Sequence, residues 1–381
     1  MFLDQVIGYD NIKLVLLNLL ENKKIGHAYL FISPEGGGGL ALALNFANYL
    51  ICLPEKNDNF DISHIESSNS FKRAQKYLHP DIHFVFPTIK FTDKKKYLCQ
   101  NFMEQWRSFL NENIYATYFE WLQYIEAENK QGKITKEDCD ILIENLHLKP
   151  YEADYKVCII WKPEFLKTEG NRLLKLIEEP PPNTVFILVT DQEEDVLPTI
   201  QSRCQKIHLP KYSTIEVEQG LINYFKTEPL LAKRLSIFSQ GDLNLALNYL
   251  KHPFSEELVL LKKWLNAIYK NLQIDLQKII DEINKTGREK QKHLITYLLW
   301  LIDLSIQQNI KPKEELFFTD EEENFVKSIN NLINNEHKVF WVDYLNKTYF
   351  YIERNANSKI MFMTLSIQLY YLLKKKEFIS V

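Results

Sequence analysis

Residues 28–50 read AYLFISPEGGGGLALALNFANYL. The first six form an apolar run of strand length, PEGGGG is turn-forming, and the last eleven carry apolar residues at the spacing of a buried helix. Strand, loop and helix in that order are the opening half of a βαβ unit. Two further runs, KVCIIW at 156–161 and TVFILVT at 184–190, are almost wholly apolar and rich in β-branched residues, with the helical pattern FLKTEGNRLLKLIEE between them. Strands that are apolar on both faces and alternate with helices belong to a parallel sheet covered on both sides. IHFVFP at 82–87 and CQKIHLP at 204–210 complete an expected five-stranded parallel sheet in an α/β domain.

Between Phe86 and Lys156 lies a stretch too long for a simple connection in such a sheet. Its Phe102, Trp106, Phe109, Leu110, Phe119 and Leu122 recur at roughly helical spacing, which predicts a helical insertion over about 88–133, followed by a helix over 136–147. From Thr214 onward strand signals disappear. Apolar segments at 230–250, 257–284, 290–309, 322–334 and 359–375 predict an all-α remainder. The expected division is an α/β domain over 1–212, a small helical unit over 213–252 and a helical C-terminal domain over 253–381.

The 381 residues are 45% hydrophobic and 25% charged, which excludes disorder for most of the chain. With 46 basic and 50 acidic residues the formal charge is −4, so wholesale electrostatic binding of nucleic acid is not expected. The lysine runs at 94–96 and 374–376 read as solvated surface, and the 23 Phe and 20 Tyr, set among Leu and Ile, read as core and interface. Cys52, Cys99, Cys139, Cys158 and Cys204 are odd in number and form no C-x-x-C pair, so neither a disulfide framework nor a four-cysteine metal site is indicated. Cys139 and Cys158 are expected as buried packing residues, and a reduced, cytoplasmic setting fits. The start MFLDQVIGYD has an acid at position 4 and no long apolar core, and later apolar stretches fall short of the ~18–20 residues that span a bilayer, so neither secretion nor membrane insertion is expected.

Four of the 11 glycines stand together as Gly36, Gly37, Gly38 and Gly39, after a strand and before a helix, where a phosphate-binding loop would lie. The working loop ends in Gly-Lys-Ser/Thr. Aligned on Pro34 and Gly36, this chain has Gly39 in place of the lysine and Leu40 in place of the metal-binding hydroxyl. On its own the segment is equally readable as a flexible turn. The strand KVCIIW, which in an ATPase ends in acids that hold magnesium and orient water, ends here in Trp161 and Lys162. An ATP site in this chain is therefore not expected to function.

LLKLIEEPPPNTVFILVT followed by LPTIQSRCQ resembles the AAA+ subunits of the bacterial DNA polymerase III clamp loader, as do HAYLF before the glycine run and HPDI at 79–82. The resemblance covers about 1–250, without the insertion, and the degenerate loop is most similar to the delta-prime members of that family. It implies that Arg203, within Ser202-Arg203-Cys204, is an arginine finger acting in trans on ATP bound by a neighbouring subunit. It also implies that the helical part over 213–252 is a lid and that over 253–381 a collar holding the subunits in a ring. Tau/gamma and delta subunits in a hetero-pentamer are the partners implied, with the sliding clamp and primed DNA reached through that complex, within a polymerase holoenzyme. ATP and magnesium would belong to the partners, and this chain would hold no cofactor.

The family's lid arginine, in G-x-x-R, aligns with Asn244 of GDLN, where Asp242 is expected to cap a helix. The zinc-binding cysteines of delta-prime members are missing after Cys52, and His64, His79 and His83 lack ligand spacing, so no zinc is expected. Two other readings remain open at this point: an active ATPase of the tau/gamma type, and a purely structural interaction subunit.

Overall fold

The structure is a computed structural model, and it describes residues 6–53, 61–89, 98–127, 130–251, 255–308, 310, 317–354 and 356–374. The run at 94–96 lies outside the described residues, as do two of the three lysines at 374–376.

Five strands, Ala28–Ile32 (β1), Ile82–Val85 (β2), Lys156–Trp161 (β3), Thr184–Thr190 (β4) and Gln205–His208 (β5), form one sheet in the order β2-β3-β4-β1-β5. Every pairing is parallel, as the continuous apolar runs require. β3 and β4 are buried along their whole length, whereas β5, an edge strand of mixed composition, is largely exposed. The helix Gly39–Ile51 is buried at every position, including its polar Asn45 and Asn48, because it packs on β3 and β4 on one side and on the helix Asn69–Gln75 on the other. The chain leaves β1 toward β2 and leaves β4 toward β5. The connections therefore diverge beside the β1/β4 pair, at whose carboxyl end such sheets place their ligands.

The insertion folds as helices: a 3₁₀ turn at Cys99–Phe102, then Met103–Glu112 and Tyr118–Tyr124, with the helix Lys136–His147 after it. Its base is closed by an antiparallel bridge between Thr88 and Lys133. One expectation fails between β3 and β4. The segment Pro163–Arg172 is 3₁₀ rather than α, broken at Lys167, which has φ 47° and ψ −133°, and only Leu174–Glu178 is α-helical.

The described residues divide into two compact units, 1–248 and 249–381. The helices Thr214–Asn223 and Pro229–Ser239 belong to the first. The second is helical throughout its described residues, with Trp264 buried and its Nε1 donating to Ser366 Oγ at 2.9 Å. It includes a helix, Asn335–Glu353, that the apolar pattern does not reveal. Its buried stripe carries His337, Lys338 and Thr348 beside Trp341, Leu345 and Ile352, so polar residues interrupt the signal. No helix of the described residues is long and apolar enough to cross a membrane.

Candidate functional site

The loop after β1 turns tightly on its glycines. Gly36 and Gly38 take positive φ, 68° and 74°, which suits glycine, and the Gly37 N–H donates to the Pro34 carbonyl at 2.9 Å. Yet the space above it is taken. Residues 114–118 of the insertion line the same cavity as Pro34, the four glycines, Trp161 and Lys162, and only about 40 Å³ remains. A cavity of that size holds a few water molecules at most, whereas ligand pockets run to about 300–1,000 Å³.

Four of the positions that depart from an ATPase, Gly39, Trp161, Lys162 and Asn244, are tied into their surroundings. A Cβ on Gly39 would lie 2.4 Å from Ser33 Oγ, so a lysine does not fit there unless Ser33 shifts. Trp161 carries the insertion: its ring lies 5.1 Å from Trp106, 6.4 Å from Phe109 and 6.3 Å from Tyr118. Lys162, buried at the end of β3 with φ 58°, pairs with Asp191 and lies 3.9 Å from Glu164. Burial alone would lower the Lys162 pKa, but Asp191, Glu164 and Glu35 together outweigh it and raise it. Glu164, the more distant acid, is pushed up to about 7, chiefly by burial, with Thr190 Oγ1 donating to it at 2.9 Å. An ammonium group thus sits among the carboxylates where a metal would be required. Asn244 is buried and accepts from Asn113 Nδ2 at 2.6 Å. Asp242 caps the helix Leu243–Lys251 through the Leu245 N–H at 2.9 Å, and its carboxylate rests against Gly36, repelling phosphate from the cradle. These residues do not fit a nucleoside triphosphate.

Arg203 stands elsewhere. It precedes Gln205, which pairs with Tyr29, while the glycine loop follows Ile32 at the far end of β1. At about 3.3 Å per residue, a distance on the order of 10 Å along the strand separates the two. The side chain is 30% exposed. Its Nη1 donates to the Thr199 carbonyl at 2.8 Å, its Nη2 lies 3.2 Å from Glu178 Oε2, and its buried Nε has no partner among the described residues. Ser202 backs it, with Oγ 3.5 Å from Nη1. Burial pushes the Cys204 thiol up to about 12, so this cysteine is a packing residue rather than a nucleophile. Cys139 and Cys158 are fully buried. The HPDI segment is structural. Asp81 accepts backbone N–H bonds from Tyr151 (2.6 Å), Glu152 (3.0 Å) and Ala153 (3.0 Å), and buried His79 holds Ser70 Oγ at 2.8 Å. Among the described residues no cluster of His, Cys, Asp or Glu could hold a metal.

Strand order, loop and flanking helices define a parallel α/β unit whose glycine loop is covered by the insertion. Residues 9–213 match the family described as DNA polymerase III, delta subunit, and the chain belongs to that family. It is 26% identical over 223 residues to DNA polymerase III subunit delta' of Bacillus subtilis, covering 58% of this chain and 53% of that one. To the gamma/tau subunit of Mycobacterium bovis it is 40% identical over 200 residues, covering 52% of this chain and 27% of that one. The matched segment thus spans about half or less of the length of these relatives. A DNA polymerase III gamma subunit-related protein of Thermotoga maritima aligns with 94% of the chain at 16% identity and a TM-score of 0.45.

Proposed function

We propose that this chain is a non-hydrolysing subunit of a bacterial clamp loader, assembled in the cytoplasm with tau/gamma- and delta-type subunits. It presents Arg203 to ATP held by its neighbour while the complex opens a sliding clamp for primed DNA. One observation carries the reading: the chain's own phosphate loop is filled by residues 114–118, while Arg203 lies at the other end of β1 with its guanidinium part-exposed. An arginine so placed cannot serve its own loop. Its bond to Glu178 is an exposed ion pair of the kind that contributes about 0–1 kcal/mol, so releasing it toward a partner costs little. A permanently charged, planar guanidinium suits developing phosphoryl charge, and such fingers contribute about 10³–10⁵ in rate in GTPases.

Arg203→Ala, in a complex reconstituted with the partner subunits, tests this. DNA-stimulated ATP turnover is expected to fall at least tenfold with the assembly intact by gel filtration. Unchanged turnover in an intact complex leaves only the structural role. The tau/gamma reading would need magnesium-dependent ATP binding by the isolated chain, which the filled cavity and the carboxylate on Gly36 oppose.

A further inference from the structure

We infer that the insertion between Thr88 and Lys133 is an intramolecular ligand: it occupies the closed nucleotide site and ties the glycine loop to the helix Leu243–Lys251, the structural work that a bound nucleotide would otherwise do. The inference rests on reading the loop after β1 as a former nucleotide site and is independent of Arg203.

The insertion is anchored as a fixed part of the fold. Its two ends meet at the Thr88–Lys133 bridge, Trp121 Nε1 donates to the Pro87 carbonyl at 2.8 Å, and Asp138 Oδ1 accepts from the Cys99 N–H at 2.7 Å. Trp106 and Trp121 are completely buried, and Trp106 stacks on Phe86 with ring centroids 4.3 Å apart. From this base the segment 113–120 reaches across the loop. The Tyr115 ring lies within 3.0 Å of the place a Cβ on Gly38 would take, and its hydroxyl accepts from the Ile7 N–H at 3.3 Å.

At its far end the same segment grips the helix beyond the loop. Glu120 has one oxygen 2.8 Å from Asn244 Nδ2 and the other 2.7 Å from Asn248 Nδ2, and Asn113 Nδ2 donates to Asn244 Oδ1 at 2.6 Å. Glu120 also closes the capping box of its own helix by accepting from the Thr117 N–H at 2.6 Å. One carboxylate therefore fixes both the turn that fills the cavity and the helix that starts against Gly36. A carboxylate accepting three N–H bonds gives charge-assisted contacts, roughly twice as strong as neutral ones. Where a nucleotide would join loop and helix, Tyr115 holds the loop side at Gly38 while Asn113 and the Glu120 carboxylate hold the helix side through the amides of Asn244 and Asn248.

The test uses the isolated full-length chain and hydrogen–deuterium exchange read by mass spectrometry. In wild type, 1 mM Mg·ATP should change exchange nowhere in 33–42. Asn244→Ala/Asn248→Ala, which removes the helix side of the bridge and leaves the capping box of Glu120 intact, should raise exchange in 214–248 at least tenfold while 156–161 and 184–190 stay protected. Two results overturn the inference: protection of 36–40 by Mg·ATP in wild type, which would mean the insertion yields to nucleotide, or unchanged exchange of 214–248 in the double variant. The wild-type measurement needs no variant, so a folding defect in the double variant still leaves the inference open to refutation. No partner subunit is present, so either result stands apart from the outcome for Arg203→Ala.

Discussion

Replacing Glu164 with glutamine should make the protein more stable at neutral pH, by an amount that grows with pH. Glu164 shares Lys162 with Asp191, and Asp191 holds the closer contact. Glu164, 8% exposed, is left 3.9 Å from the ammonium and pushed up from 4.5 to about 7, mainly by burial. The folded state therefore binds more protons than the unfolded state between those two values. Stability is fully present below about pH 4.5 and declines as pH rises toward and through 7. Taking the two pKa values through the linkage relation, the loss between pH 5 and pH 7 is about 2 kcal/mol. Glutamine keeps the shape of the protonated acid and does not titrate, so the gap between Glu164→Gln and wild type should widen by that amount, in favour of the variant. For a unit of this size it corresponds to about 4–8 °C in Tm. Thermal melts of both proteins at pH 5, 6 and 7 measure it. Parallel pH profiles for the two would refute the assignment of the proton to Glu164.

Other substitutions probe the remaining parts of the site. Trp161→Ala removes the ring on which Trp106, Phe109 and Tyr118 rest and should lower stability by about 3–5 kcal/mol in chemical denaturation. Gly39→Lys should not create ATP binding by calorimetry and should cost about 1–3 kcal/mol, because its Cβ meets Ser33 at 2.4 Å. Asp81→Ala leaves three backbone N–H groups at 151–153 without their acceptor and should destabilise the first unit by about 2–5 kcal/mol, seen as a lower Tm.

Much of the fold was legible because its strands are apolar on both faces, and the insertion was legible because Phe102, Trp106, Phe109 and Leu110 repeat at helical spacing. The absence of lysine, hydroxyl and strand-end acids was equally plain. What replaced them was not. Contacts such as Glu120 with Asn244, or Tyr115 with Gly38, join residues far apart in the chain, and no local pattern encodes them. Trp161 reads in sequence as the loss of an anion, and only the fold reveals it as the platform for the insertion. The aromatic run YATYFEWLQY at 115–124 was the available signal: four tyrosine, phenylalanine and tryptophan side chains within 118–124 exceed what one exposed turn of helix needs. Between β3 and β4 the apolar period suggested one helix, but Lys167 takes a positive φ that an α-helix cannot continue through.

The replacements depend on one another, which is why reverting any one of them should not reopen the site. Nucleotide present at a thousandfold over its dissociation constant contributes only about 4 kcal/mol to a state that binds it. Admitting it here requires moving 113–120 away, which exposes Tyr115, 5% accessible in place, and breaks the bonds of Asn113 and Glu120 to Asn244 and Asn248. Exposing one large apolar side chain costs about 1.5–3 kcal/mol, the neutral Asn113–Asn244 bond about 0.5–1.5, and each of the two bonds to the Glu120 carboxylate about 1.5–3. The sum, about 5 kcal/mol or more, already exceeds what a well-bound nucleotide could return. This chain's loop is far from that optimum, since it lacks the lysine and holds the Asp242 carboxylate against Gly36. The insertion therefore wins on energy as well as on volume, and a route back to nucleotide binding would have to change the loop, Trp161, Asp242 and the 113–120 segment together.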